Sequence, residues 1–442
     1  MTAKQIRNFP DDFPFNSRRR FLQGLLGGAA AGLVFPSCNF GRESSEKKES
    51  LSQAVSILGE TELGDDSFWK VVKDQFPLKD GLIMLNAANL CPSPISVQKR
   101  VFELTADVDS DPSFANREKF VPLREESRSL LAQFLGASPD EIAIVRNTSE
   151  GNNVVISGLD LGPGDEVIIW DQNHPTANIA WDVRAERYGY TVTRIATPEQ
   201  PQNPEELLRV FTEAFTPKTK VLCFSHVSNV SGIRLPAKEL CDAARSAGIL
   251  TLVDGAQTFG TYLLRLNEMG CDFFTGSSHK WFCGPKEVGI LYVRKERCKE
   301  LHPLLVGVGW ENSSTSGARR FETLGQQDDS RISAMKEAVE FHTLLGLLRI
   351  SSQARKLADA VKESLKKSVP RVEFITPIPH QMSWGVVVFH VPGLNIDTAL
   401  NSLYQNHSVG CAVMGANIRY SPHFYNTLED IDRAAYAIKK MI

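Results

Sequence analysis

Asp254 and Lys280 close two consecutive apolar runs, ILTLVD (Ile249 to Asp254) and DFFTGSSHK (Asp272 to Lys280). Short runs rich in β-branched and aromatic residues read as buried parallel strands, and open α/β sheets bind ligands beyond the carboxyl ends of such strands. The spacing therefore delivers a carboxylate at one strand end and an amine just past the next. A lysine held in a fixed place with a lowered pKa is a Schiff-base nucleophile. A carboxylate beside it can keep a heterocyclic nitrogen protonated, which turns the attached ring into an electron sink. The same stretch offers Gln257, three residues after the acid, and the hydroxyl and imidazole of Ser277 and His279.

Other strand ends carry further candidates. EIAIVRNTSEG (Glu141 to Gly151) reads as a strand, a polar turn with Thr148 and Ser149, and a helix start. Free N–H groups at a helix N-terminus, helped by hydroxyls and the helix dipole, bind phosphate. GDEVIIWDQNHP (Gly164 to Pro175) places His174 in the loop after a strand, and KVLCFSHVSN (Lys220 to Asn229) brings Asn229 past another. Far downstream, ANIRYSPHFYNT (Ala416 to Thr427) contains Arg419, whose planar guanidinium can hold a carboxylate by two hydrogen bonds where a lysine could not.

Five of these features follow one another across about 130 residues: phosphate turn, His, Asn, Asp-x-x-Gln, Ser-x-His-Lys. In that order they resemble the fold-type I pyridoxal-phosphate (PLP) enzymes of the class V aminotransferase superfamily, from Leu82 to the C-terminus. The resemblance implies that Lys280 carries the cofactor as an internal aldimine and then serves as acid and base at Cα. It implies that Asp254 holds the pyridine nitrogen protonated and that Gln257 and Asn229 address the phenolic oxygen. Thr148, Ser149, Ser277 and His279 would take the phosphate, with His174 stacked over the ring. Arg419 would bind the substrate carboxylate. Asn89, in the LNAANL turn of an N-terminal arm, would line the mouth.

Two departures from the family pattern stand out. Asn173 occupies the place of a Glu before the stacking His. Gln326 follows Gly325 where relatives carry a Thr that reaches the partner subunit's phosphate. The strings NHP, SHK and SPHFYNT bring the chain nearest the isopenicillin N epimerase-like branch, so an amino acid or amino-acid derivative is the expected substrate. Epimerisation, transamination and β-elimination share one Cα carbanion, and these residues do not choose among them. The alternatives are a cysteine desulfurase or β-lyase of the same superfamily, or a binding protein that kept the fold without the chemistry. A desulfurase needs a nucleophilic cysteine on a long mobile loop before the arginine. Only seven residues separate Cys411 from Arg419, and VGCAVMG reads as a buried strand.

The elements that must position these groups follow from the repeated strand–helix–strand order, which requires a mostly parallel sheet. The expectation is an α/β fold: a large domain with a mostly parallel seven-stranded sheet, and a smaller α+β C-terminal domain. A chain of 442 residues exceeds one compact core. Its expected division is residues 1–38 as an export signal, 39–67 as a flexible tether and 68–95 as an arm. The large domain then takes 96–320, a linking helix 321–346 and the small domain 347–442.

Ser17-Arg18-Arg19-Arg20-Phe21-Leu22-Gln23 before a Gly/Ala-rich apolar run resembles a twin-arginine export signal, which implies a periplasmic or membrane-anchored protein. Cys38 resembles a lipoprotein acceptor, although Phe35 and Pro36 are unusual before it. The remaining cysteines show no CxxC or metal spacing, so no metal site is expected. A net charge of -3 without a basic run argues against nucleic acid. The family's active sites lie between subunits, which implies a homodimer meeting around Gly307 to Asn312 and Gly325.

Overall fold

A computed structural model describes residues 40–58, 64–307 and 317–442. The export-signal stretch, Cys38 and Val308 to Asn312 of the expected dimer contact lie outside the described residues. Ser44–Ile442 forms one compact unit.

Its strands in chain order are β1 (Ile83–Met84), β2 (Ile142–Val145), β3 (Glu166–Trp170), β4 (Thr191–Ile195), β5 (Thr219–Ser225), β6 (Leu250–Asp254), β7 (Phe273–Ser277), β8 (Gly289–Val293), β9 (Glu373–Phe374), β10 (Val387–His390), β11 (Val409–Gly410), β12 (Ala412–Met414) and β13 (Asn417–Tyr420). Seven of them form one sheet in the order β2-β8-β7-β6-β5-β3-β4. All pair in parallel except β8, which runs antiparallel between β2 and β7.

The inner strands are apolar on both faces because both are covered. Alternate residues divide between two cores. Ile142, Ile144, Leu222, Phe224 and Val253 meet helix residues such as Leu131 and Leu240 on one side. Ala143, Val145, Val221, Cys223 and Leu252 meet Val154, Val155 and Trp181 on the other. The strand order reverses at β3, with β4 on one side and β5 on the other, the usual position of a ligand crevice. Thr148, His174, Asp254 and Ser277 all stand at or just past the carboxyl ends of parallel strands.

A second, antiparallel sheet, β12-β13-β10-β9, closes over its own core against the helices Leu347–Ser368 and Leu428–Lys439. The run expected as one strand, Val409 to Met414, is instead two strands in two sheets. β11 pairs in parallel with β1, and β12 pairs with β13. Cys411 sits at the change-over, where one short run satisfies the arm and the hairpin in turn.

Two other expectations are corrected. The expected tether is helical over Phe40–Leu58, and its Leu51 is buried against the Phe68 and Trp69 cluster, with Ala54 and Val55 beside it. The i, i+3, i+4 spacing of these three residues builds an apolar stripe within a polar stretch. The linking helix expected over 321–346 is divided into Asp329–Ser333 and Met335–Leu345, and it ends at Gly346, whose positive φ of 81° separates it from the helix Leu347–Ser368.

Candidate active site

Asp254 ends β6 buried and fully oriented. Its Oδ2 accepts from Asn152 Nδ2 at 3.0 Å and its Oδ1 from the Ala256 N–H at 2.9 Å. Asn152 is held in turn, its Oδ1 accepting from Thr275 Oγ1 at 2.7 Å. Sequence reasoning missed Asn152 and Thr275. The signal was present: Asn152 lies one helical turn past Thr148, on the face that packs against β6 and β7.

Lys280 follows β7 in a turn, itself half-buried, and its amine has no hydrogen-bond or ion-pair partner among the described residues. Burial pushes its pKa below the ordinary 10.5. Asp254 opposes that shift and the Arg419 charge adds to it. His174 feels the same neighbours. Burial lowers its pKa first, the charges of Lys280 and Arg419 lower it further, and Asp254 works the other way. His174 thus feels the charges of Lys280, Asp254 and Arg419, and Lys280 feels those of Asp254 and Arg419. His174 caps the helix Pro175–Tyr188, its Nδ1 accepting from the Thr176 N–H at 3.3 Å, so in the neutral ring the proton sits on Nε2.

The Thr148 turn joins β2 to a helix, the strand–turn–helix order expected of it. Asn147 caps the helix Thr148–Gly158 through the Glu150 N–H, at 3.0 Å. Ser277 Oγ lies 2.8 Å from the Thr148 N–H and 2.7 Å from Thr148 Oγ1, so two strand ends bring their hydroxyls together at the N-terminus. Ser149 Oγ lies 3.4 Å from Thr176 Oγ1, linking this turn to the His174 loop. His279 is pushed down to about 4, by burial and then by Lys280 and Lys286.

Among the described residues Arg419 is buried without a carboxylate partner. Its Nη1 donates to Asn229 O at 3.2 Å, with Met414 Sδ at 3.8 Å, and its Nη2 to Asn86 Oδ1 at 3.0 Å, while Nε has no partner among those residues. Burial pushes it down to about 10. A desolvated guanidinium with only neutral acceptors is an anion site.

Asn229 thus reaches the site through its backbone carbonyl. Gln257 is engaged at both ends, donating to Ala88 O at 3.1 Å and accepting from Trp281 Nε1 at 2.8 Å. The arm residue that touches Arg419 is Asn86, through its Oδ1. A tight turn, with the Asn89 N–H donating to Asn86 O at 3.0 Å, carries Asn89 out to solvent, while Asn86 pairs with Ser421 beside Arg419. Asn173, the departure from the Glu pattern, is structural. Its Nδ2 donates to Cys223 O at 3.1 Å and its Oδ1 accepts from the Ser225 N–H at 2.6 Å, tying the His174 loop to β5. Gln326 is exposed, its Oε1 accepting from Arg117 Nη1 at 3.0 Å.

This donor set suits the group that the resemblance implies. It offers a fixed carboxylate for a ring nitrogen, a free amine, a neutral imidazole and a hydroxyl-lined helix N-terminus for a phosphate.

Residues 99–434 match the family model described as Aminotransferase class-V. The chain is 32% identical over 390 residues to the isopenicillin N epimerase of Streptomyces clavuligerus, covering 84% of this chain and 97% of that one. It is 29% identical over 348 residues to a cysteine desulfurase of Salmonella dublin, covering 72% of this chain and 82% of that one. Among solved structures, a C-DES variant with glycine covalently linked to its PLP cofactor superposes with a TM-score of 0.78 at 22% identity, covering 84% of this chain and 99% of that one.

Proposed function

The chain belongs to the class V aminotransferase family, a PLP-dependent family, and we propose that within it this protein epimerises an amino acid by moving the proton at Cα. The observation that carries the reading is the pairing of an unpartnered, pKa-lowered amine, Lys280, with a buried guanidinium, Arg419, that lacks an acid. One takes a proton and the other takes a carboxylate, and together they define an α-amino acid.

PLP, when bound, supplies an electron sink that stabilises negative charge at Cα. Asp254, oriented by Asn152 and the Ala256 N–H, would hold a proton on the ring nitrogen. Thr148, Ser149, Ser277 and His279 would hold the phosphate end. His174, its pKa lowered by burial, would shield the ring from water. Arg419 would orient the substrate through its carboxylate, and the Lys280 amine would take the Cα proton from its own face. Inversion needs the replacing proton delivered to the opposite face, by water or a second acid, because its return by Lys280 restores the starting configuration.

Epimerisation is supported by the epimerase relative and by the state of the cysteines. All seven described cysteines are buried, and burial pushes the Cys411 thiol up to about 12. A sulfur-transferring thiolate needs the opposite environment. Cys411→Ala is therefore expected to retain turnover within about twofold; a loss of 10²-fold or more, with sulfide released by the parent, would support the desulfurase reading instead.

The direct test is amino-acid turnover in heavy water. Epimerisation predicts deuterium at Cα by NMR together with loss of optical purity by chiral chromatography. Accumulation of a keto acid would make the protein a transaminase.

A homodimer is part of the proposal. Leu90, Phe102, Phe114 and Val121 are 45%, 72%, 83% and 68% exposed on the arm and the helices that follow it, a set of large apolar side chains suited to a partner surface. Export and anchoring through residues 1–38 are also proposed, supported by the twin-arginine string alone.

A further inference from the structure

Every carbonyl of the segment carrying Lys280 is tied down. Ser278 O accepts from Gly284 N at 2.7 Å, His279 O from Cys91 N at 2.8 Å and Lys280 O from Cys283 N at 2.9 Å. The fourth, Trp281 O, is held by side chains alone: it lies 2.7 Å from Nε2 of His423, with the Cys283 thiol a longer second donor at 3.9 Å. A carbonyl only accepts, so Nε2 carries the hydrogen.

His423 is fully buried. Burial pushes it down to about 3, so the ring is neutral, and Nδ1 has no partner among the described residues. A buried ring with one unsatisfied nitrogen is costly for packing alone.

Trp281 is gripped at its other end as well. Its indole donates to Gln257, which donates to Ala88 O. Its ring packs so closely on Gly385 that a Cβ there would come within 2.7 Å. The turn after Lys280 therefore cannot slide without moving His423.

His423 lies four residues beyond Arg419 in one rigid segment. Ser421 N donates to Leu85 O at 2.8 Å, and the His423 N–H donates to Asn426 Oδ1 at 3.0 Å. One short stretch thus holds the guanidinium at one end and the lysine turn at the other.

We infer that His423 is a positioning residue whose Nε2–H sets the separation between the Lys280 amine and the Arg419 guanidinium, and with it the placement of a substrate's Cα relative to its carboxylate. The inference rests on the roles given above to Lys280 and Arg419.

The test compares His423→Phe, which keeps a planar ring without the donor, with His423→Gln, which keeps a side-chain N–H. Lys280 is titrated in the full chain without cofactor, by its pH-dependent labelling with fluorodinitrobenzene, read by peptide mapping. In the parent the labelling midpoint lies below 10.5. In His423→Phe it rises by about one unit, as the freed turn leaves its desolvated place beside Arg419. In the loaded enzyme kcat falls on the order of ten- to a hundred-fold, as a misplacement of about 1 Å produces. His423→Gln restores both.

A folded His423→Phe protein with the parent's midpoint and kcat would overturn the inference. A parent midpoint at the ordinary 10.5 would instead remove the assignment of Lys280, a separate result that also takes the inference with it. Should the phenyl variant not fold, His423→Asn against His423→Gln, the same amide at two reaches, carries the comparison.

Discussion

Lys280→Ala is expected to abolish covalent attachment of PLP and to lower turnover by at least about 10³-fold. In the proposed roles the lost amine is both the attachment point and the base at Cα, and acid–base catalysis alone contributes about 10²–10⁴-fold. The variant should still bind PLP reversibly through Asp254 and the Thr148 turn, as equilibrium dialysis would show.

It should also be more stable than the parent at pH 7. The folded state lowers the Lys280 pKa below the unfolded 10.5, so it disfavours the charged form. That destabilisation is fully present below the folded pKa and fades as pH rises from there toward 10.5. Without cofactor, the Tm gain of Lys280→Ala should therefore be largest near neutrality and shrink in alkali. Loss of the aliphatic stem shifts Tm by the same amount at every pH. A Tm difference that does not change between neutrality and pH 10.5 would therefore mean that the amine is not desolvated in the folded state.

Arg419→Ala has the second large effect, and it separates substrate binding from cofactor binding. None of the proposed cofactor contacts is removed, so the bound-cofactor absorbance should persist. Turnover of α-amino acids should fall by about 2–5 kcal/mol in transition-state terms, the usual cost of removing one side of a desolvated charge pair. Arg419→Lys should recover little, because an ammonium lacks the planar fork that spans Asn86, Asn229 and a carboxylate. Amines without a carboxylate should be insensitive to the change. Equal turnover of amino acids by Arg419→Ala and the parent would make this arginine structural.

Much of the site was legible because strand ends announce themselves. Asp254, Ser277 and Lys280 close apolar runs, and a parallel sheet gathers such ends along one edge whatever the details of packing. The Thr148 turn and His174 follow the same rule. Residues brought in by non-local pairing were not legible. Asn86 is placed by its bridge to Ser421, more than 300 residues away, and nothing in the LNAANL turn favours it over Asn89. His423 sits in a string that was noticed for its arginine and for its likeness to relatives, yet its contact with Trp281 exists only once two distant loops meet. The helix Phe40–Leu58 was hidden by its charge, since three apolar positions in a polar stretch suffice to bury one face.

The measurement that bears most directly on the account is borohydride reduction of the PLP-loaded protein, followed by digestion and mass mapping. The account predicts a pyridoxyl group on the peptide containing Lys280. Lys286 is the instructive rival. It too has its pKa lowered by burial, but its amine already donates to Cys91 O at 2.9 Å and Ser93 Oγ at 2.8 Å, so it should stay unmodified. A label on Lys286, or no label on any lysine of a protein that turns over amino acids, would contradict the account.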